Sequence, residues 1–191
     1  MSNNNNLKLV SPVAPCKWVN IKTPHPEYDV YQINLLLPAD SEEAKKWMED
    51  IDGWMADEMK ASGSKKITEY PPYKEDGENI IFKFKQKAVF KGRGGEERAV
   101  SIMVVDAQMK PCKVDIGWGS KVKVSYSTVS FTVNGKSGVT MYFNAVQIIE
   151  LVEYEAQTGF EVEDGYKAEE TPENPFVAQT SNTENAESAD F

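Results

Sequence analysis

The residues best suited to chemistry in this sequence form a row of amines. Lys83, Lys85 and Lys87 alternate with Phe82, Phe84 and Ala88 in the stretch Ile80 to Phe90, and Phe90 continues the apolar side. A β-strand sends successive side chains to opposite faces. The spacing therefore predicts a half-buried strand with ammonium groups on one face and aromatic rings on the other. Lys121 and Lys123 repeat the pattern against Val122, Val124 and Tyr126. Cations in file suit a polyanion whose charges recur along a line, and aromatic rings beside them offer faces on which bases can stack. Phe131, Tyr142 and Trp118 are the aromatics available for stacking, whereas Tyr126 shares the apolar face of its strand. Arg93, Lys65 and Lys66 sit in flanking loops and would extend the cationic path at its margins.

The charge balance supports this reading once it is resolved by region. The chain has 191 residues and a formal net charge of −9, which by itself argues against a nucleic-acid binder. Between Ile80 and Phe143, however, 11 lysines and arginines face 4 acidic residues, whereas from Phe160 to Phe191 9 acidic residues face Lys167 alone. The global value conceals a basic domain and an acidic appendage.

Other chemistries find weaker support. His25, the single histidine, lies between Pro24 and Pro26 and has no evident partner to orient it as a base. Asp106, Asp115 and Glu150 could hold a metal for a nuclease, but no short ligand motif links them. Gly135-Lys136-Ser137 resembles the end of a phosphate-binding loop, but it lacks the earlier glycine and the following helix. Cys16 and Cys112 lack metal spacing and read as reduced thiols. No enzyme activity, metal or cofactor is expected. No apolar run approaches the roughly 20 residues of a membrane span, and Met1–Asn6 shows no signal-peptide pattern.

The elements that must position the lysines follow from periodicity. Lys17–Ile21 reads as a first strand, followed by a proline loop over Thr23–Pro26. Val30–Leu37 reads as a second, with Tyr31, Ile33, Leu35 and Leu37 on one face and Pro38 ending it. A helix over Ser41–Ala61 is expected, with Asp40 and Glu43 as a capping box. Its apolar stripe is Ala44, Trp47, Met48, Ile51, Trp54, Met55 and Met59. Strands over Val100–Val105, Lys121–Tyr126 and Val139–Val152 complete the set, the last joined through an Asn134-Gly135 hairpin. In the last strand Met141, Phe143 and Ala145 should share one face, and Tyr142, Asn144, Val146 and Ile148 the other. One helix with five or six antiparallel strands fits a small Greek-key barrel of OB type, or a two-sheet sandwich. We divide the chain into an OB-type domain over 1–159, with 1–6 disordered, and an acidic disordered tail over 160–191. The tail ends in Glu187-Ser188-Ala189-Asp190-Phe191, a terminal aromatic suited to anchoring in a partner's pocket.

Several of these segments together resemble a known family. Phe82-Lys83-Phe84-Lys85, Val104-Val105-Asp106, Gly119–Ser127, Val30-Tyr31 with Leu37-Pro38, and the closing Asp190-Phe191 resemble the single-stranded DNA-binding proteins of T7-type bacteriophages. The resemblance implies an OB-fold core and non-enzymatic roles in phage DNA replication, recombination and repair in the cytoplasm of the infected bacterial host. It also implies that the tail, through Glu187, Asp190 and Phe191, docks on the phage DNA polymerase and helicase-primase. The tail would further shield the DNA groove and support dimer formation. By position, Lys85 matches a DNA-contacting lysine and Phe131 a stacking tyrosine. Lys87 replaces a family aromatic and Ser125 a DNA-contacting lysine. The competing class is a phage structural or adaptor protein whose basic β-domain binds another protein.

Overall fold

The computed structural model describes residues 8–92 and 94–153. Arg93, the Met1–Asn6 segment and the acidic tail with Glu187, Asp190 and Phe191 lie outside the described residues. Eleven strands and one helix follow in the order β1 (Leu9–Val10), β2 (Ala14–His25), β3 (Val30–Pro38), α1 (Glu42–Ser62), β4 (Lys66–Ile67), β5 (Tyr73–Asp76), β6 (Asn79–Lys87), β7 (Val89–Lys91), β8 (Glu97–Ala99), β9 (Met103–Val105), β10 (Lys121–Val133) and β11 (Lys136–Glu150).

Five of these strands close a barrel. β2 pairs with β3, β3 with β6, β6 with β11, β11 with β10, and β10 returns to β2. Closure leaves no exposed edge in the ring. This is the OB-type barrel, and it replaces the sandwich alternative. Its strands are not all antiparallel: β11 runs parallel to β6, meeting it at Tyr142 opposite Lys85, and also parallel to β4 and β9.

Inside lie Ile33, Leu35, Phe82, Phe84, Val122, Val124, Met141 and Phe143, all fully buried. The helix packs Ala44, Trp47, Ile51 and Met55 against them. Trp47 is the pivot. Its indole stacks on Phe82 at 4.1 Å between centroids and lies 5.8 Å from Phe84, and its Nε1 donates to Tyr126 Oη at 2.9 Å. Burial leaves the indole N–H dependent on a protein partner, which the Tyr126 hydroxyl supplies.

Several expectations are corrected. Ser41 rather than Asp40 caps the helix, its hydroxyl accepting from Ala44 N, and Gly63 ends it in the left-handed region at φ 68°. β2 starts before Lys17 and continues through Thr23 and Pro24 to His25, leaving Pro26 beyond its end. Of Val100–Val105, only Met103–Val105 forms a strand. Phe90 does not join Phe82 and Phe84. The chain leaves the barrel at Ala88 and β7 pairs with β8 in a separate ribbon, so Phe90 is 60% exposed. In β11, Val146 and Ile148 face inward, not outward with Tyr142. The register passes from Ser125 opposite Ala145 to Tyr126 opposite Phe143, leaving Asn144 as an extra residue. A bulge of this kind reverses the facing of everything beyond it.

Burial pushes the Tyr126 hydroxyl up to about 12. Burial and the Asp52 carboxylate do the same for Tyr73, also to about 12. An unfolded tyrosine ionises near about 10. The folded protein holds the proton more tightly, so the stabilisation is complete below about pH 10 and is lost as pH rises towards about 12. Urea midpoints should therefore fall across that interval. Tyr126→Phe should flatten the fall in part, with Tyr73 supplying the remainder, and an identical pH profile in the variant would contradict this assignment.

Candidate nucleic-acid interface

Because Phe82 and Phe84 are held inside by Trp47, the alternate residues of β6 must point out. Lys83, Lys85 and Lys87 are exposed on the outer face, and none forms an ion pair among the described residues. Register extends their row across the barrel. Gln32 lies opposite Lys85 on one side, Tyr142 on the other, and Ser127 beyond Tyr142.

Two concavities run end to end along β6 and β11. The first, of about 660 Å³, is lined by Lys83, Lys85, Gln32, Phe131, Tyr70, Lys136 and Thr140 among others. The second, of about 570 Å³, is lined by Lys87, Tyr142, Phe90, Tyr28, Lys91 and Val129 among others. The first therefore combines the unpaired ammonium groups of Lys83 and Lys85 with aromatic rings, and the second that of Lys87. Tyr70 is 82% exposed, Tyr28 64%, and Phe131 and Tyr142 are half-buried.

Phe131 is set by its cross-strand neighbour. It pairs with Gly138 across the β10–β11 hairpin. A Cβ on Gly138 would fall 2.5 Å from Phe131 Cζ and 2.8 Å from Thr68 Cγ2. The ring thus lies directly on the β11 backbone, and only glycine permits that approach. The hairpin itself turns through Asn134 and Gly135, both at positive φ (51° and 72°), as the Asn-Gly pair anticipates. Next to it the buried Ser137 hydroxyl meets those of Ser64 at 2.5 Å, Thr132 at 2.9 Å and Ser62 at 3.0 Å. This network fixes the helix C-terminus and the following loop to the hairpin. Gly135-Lys136-Ser137 is therefore part of a hairpin held by hydroxyls, not a phosphate loop before a helix.

The remaining positions are placed as follows. Lys65 and Lys66 are exposed beside the first concavity, with Lys66 of β4 opposite Lys136 of β11. Lys136 donates to Glu69 at 2.6 Å, which holds the ammonium above its ordinary range and the carboxyl below. Lys91 is paired with Glu97 at 2.7 Å. Lys121 and Lys123 are not brought to the groove. They occupy the far end of β10 from Phe131, and Lys121 is paired with Glu150 at 2.9 Å. Trp118 is exposed in a turn outside both concavities. Asp106, Asp115 and Glu150 do not converge. Asp106 accepts from Gln108 N and Lys110 N in its own turn, Asp115 pairs with Lys22, and Glu150 with Lys121. Cys16 and Cys112 are free thiols, and burial pushes Cys16 up to about 11.

Tyr70, Tyr28 and Gln32 line the concavities although the sequence pattern does not point to them, and so does Phe90, which that pattern puts on the apolar side of its strand. Tyr70 precedes Pro71-Pro72, a pair that holds the loop extended and leaves the ring no strand to pack on. That was the one signal able to find it.

Comparison with known proteins bears on this surface. Residues 17–151 match the family model described as single-stranded DNA-binding protein, bacteriophage T7. The single-stranded DNA-binding protein of enterobacteria phage T3 is 32% identical over 142 residues, 67% of this chain and 61% of that protein, so the match spans less than two thirds of its length. The crystal structure of gp2.5, the single-stranded DNA-binding protein of bacteriophage T7, superposes with a TM-score of 0.69 at 22% identity, covering 85% of this chain and 99% of the other. The bacteriophage Enc34 single-stranded DNA-binding protein, solved with single-stranded DNA, gives 0.57 at 14% identity over 76% and 88% of the two chains. At these identities the structural matches carry the barrel and not its contacts.

Gly138→Ala should cost about 1–3 kcal/mol, as overpacking does. In a Phe131→Ala background the same change should cost measurably less, since one of its two obstacles is gone. A double-mutant cycle by urea unfolding checks this, and strictly additive effects would show that the ring does not rest on Gly138.

Proposed function

The chain belongs to the bacteriophage T7 single-stranded DNA-binding protein family, and from that membership we propose that it binds single-stranded DNA in the groove along β6 and β11, with little sequence preference. The observation that carries the reading is the row of Lys83, Lys85 and Lys87, free of ion pairs among the described residues, beside Phe131 and Tyr70 in one concavity and Tyr142 in the next. The lysines meet phosphates, and the rings stack on bases through faces that every base possesses. Lys136, Lys65 and Lys66 flank the path. The protein acts by binding alone, protecting single strands during phage replication and recombination in the host cytoplasm.

The tail reading belongs here too. We assign residues 1–159 to the binding domain and 160–191 to an acidic arm that competes with DNA for the groove. Through Glu187, Asp190 and Phe191 that arm recruits the phage polymerase and helicase-primase and supports dimer formation. Its composition favours this: nine acidic residues against one lysine, closing on an aromatic.

Three phosphate-contacting lysines should give a slope of about −2 for log affinity against log salt, at about 0.7 per phosphate on a single strand. Titration of fluorescent oligo-dT measures it. Lys85→Ala should reduce the magnitude by about 0.7, and Phe131→Ala should weaken binding to every base composition by about 1–3 kcal/mol. Affinity indifferent to salt would overturn the reading in favour of a protein-binding adaptor.

Ending the chain near Asp164 should tighten DNA binding and abolish polymerase recruitment in a pull-down. Weaker DNA binding by the truncated protein would contradict the competitor role.

A further inference from the structure

Trp18 and Trp118 lie outside the groove, yet their setting is not that of stray surface rings. The Lys17 ammonium stands 4.4 Å from the Trp18 ring centre and 5.1 Å from that of Trp118, and 3.7 Å from the Asp76 carboxylate. It ties the two indoles into one unit while they remain 55% and 68% exposed.

Both rings are held by unusual backbone. β2 carries an extra residue relative to β3 between Lys17, opposite Asn34, and Asn20, opposite Gln32. Trp18 sits in that bulge at φ 50°, a conformation that favours glycine and is an outlier for a bulky side chain. Bulges re-aim side chains, and this one turns an indole outward at the expense of strain, a combination that tends to mark ligand-binding surfaces. Trp118 rides a turn fixed on two sides. Gly119 N donates to Cys16 O at 3.0 Å, Cys16 N to Ser120 O at 2.9 Å and Gly117 N to Val152 O at 2.8 Å. A Cβ on Gly117 would come within 2.5 Å of Val152 O. Both rings are thus presented on ordered supports, which lowers the entropy lost on binding.

The position of the pair relates it to the groove. Lys17 lies opposite Asn34, and Asn34 opposite Lys83. Directly paired residues share a face, so Lys17 and Lys83 stand on the same side of the sheet, two strand spacings or roughly 10 Å apart, with the buried Asn34 between them. We infer that Trp18 and Trp118, braced by Lys17, form a second stacking platform for the same single strand, which crosses β3 from Lys83 and lengthens the footprint beyond the groove. This rests on the DNA-binding reading above. Because Asp76 neutralises Lys17, the platform contributes stacking and little charge. Its removal should lower affinity without altering the salt dependence.

The test compares oligo-dT of about six and about 16 nucleotides, within the range of site sizes for such barrels, on the full chain. Trp118→Ala should weaken binding of the longer strand by about tenfold, the range of one lost stacking contact. It should leave the shorter strand and the salt slope unchanged, and Trp118→Phe should restore most of the loss. Trp18→Ala should behave likewise, and unchanged far-ultraviolet circular dichroism would show that the fold is intact. If Trp118→Ala leaves both lengths unaffected while Phe131→Ala weakens both, the platform is wrong and the groove stands. Equal losses for both lengths would also overturn it, since Trp118 would then act on the groove or the fold. Failure of the unaltered protein to bind either length would overturn the function itself and the platform with it.

Discussion

The packing of Trp47 against β6 is the constraint on which the outer surface depends. Its indole covers Phe82, approaches Phe84 and hydrogen-bonds Tyr126. Strand periodicity then leaves no choice for the residues between: with Phe82 and Phe84 inside, Lys83, Lys85 and Lys87 are outside. A slip of one residue would bury three ammonium groups and expose two phenyl rings, each change unfavourable by itself. The groove's charge is therefore specified from the core. The same contact also explains why a helix is inserted between β3 and β6, since α1 brings a large ring with a polar edge to a site where the barrel already supplies a hydroxyl.

Electrostatics divides the basic residues into two kinds. Lys121, Lys136, Lys91 and Lys22 have carboxylate partners at 2.6–2.9 Å. Lys83, Lys85 and Lys87 have none among the described residues. Exposed ion pairs contribute little to stability, but they lower the local field that a phosphate would meet. The unpaired row is thus the stretch of β6 where an incoming polyanion faces uncompensated charge, and it coincides with the aromatic concavities. A chain of net charge −9 can carry such a site because screening confines the influence of exposed charges to about 8–10 Å.

Most of this was legible where local rules act alone. The alternation at Phe82–Lys87, the Asn134-Gly135 turn and the apolar stripe of α1 each follow from one periodicity or one turn preference, and each forms as read. What was not legible depends on pairing between distant strands. The extra residue at Asn144 reverses the facing of Val146 and Ile148, and nothing in their own sequence announces it. Phe90 keeps the parity of Phe84 on paper but leaves the barrel at Ala88, because Ala88 bonds to Asp29 and Val100 rather than continuing the ladder. Lys121 and Lys123 share the alternation of β6 yet lie far along β10 from Phe131, since sequence pattern gives a face without giving a height on the barrel.

The two bulges teach the same lesson from opposite directions. At Asn144 the extra residue restores burial, returning Val146 and Ile148 to the core where simple alternation would have exposed them. At Trp18 the extra residue turns a large indole into solvent, and it does so with a backbone conformation that glycine would adopt without strain. Core packing accounts for the first and gives no reason for the second. A tryptophan placed where local energetics favour glycine, and steadied by a lysine that is itself paired with Asp76, is better explained by what the exposed ring meets than by anything it does for the fold. Trp47 and Tyr126 meet inside the core, while strain is carried at the surface, at a ring whose position is set by the same β2–β3–β6 register that places Lys83.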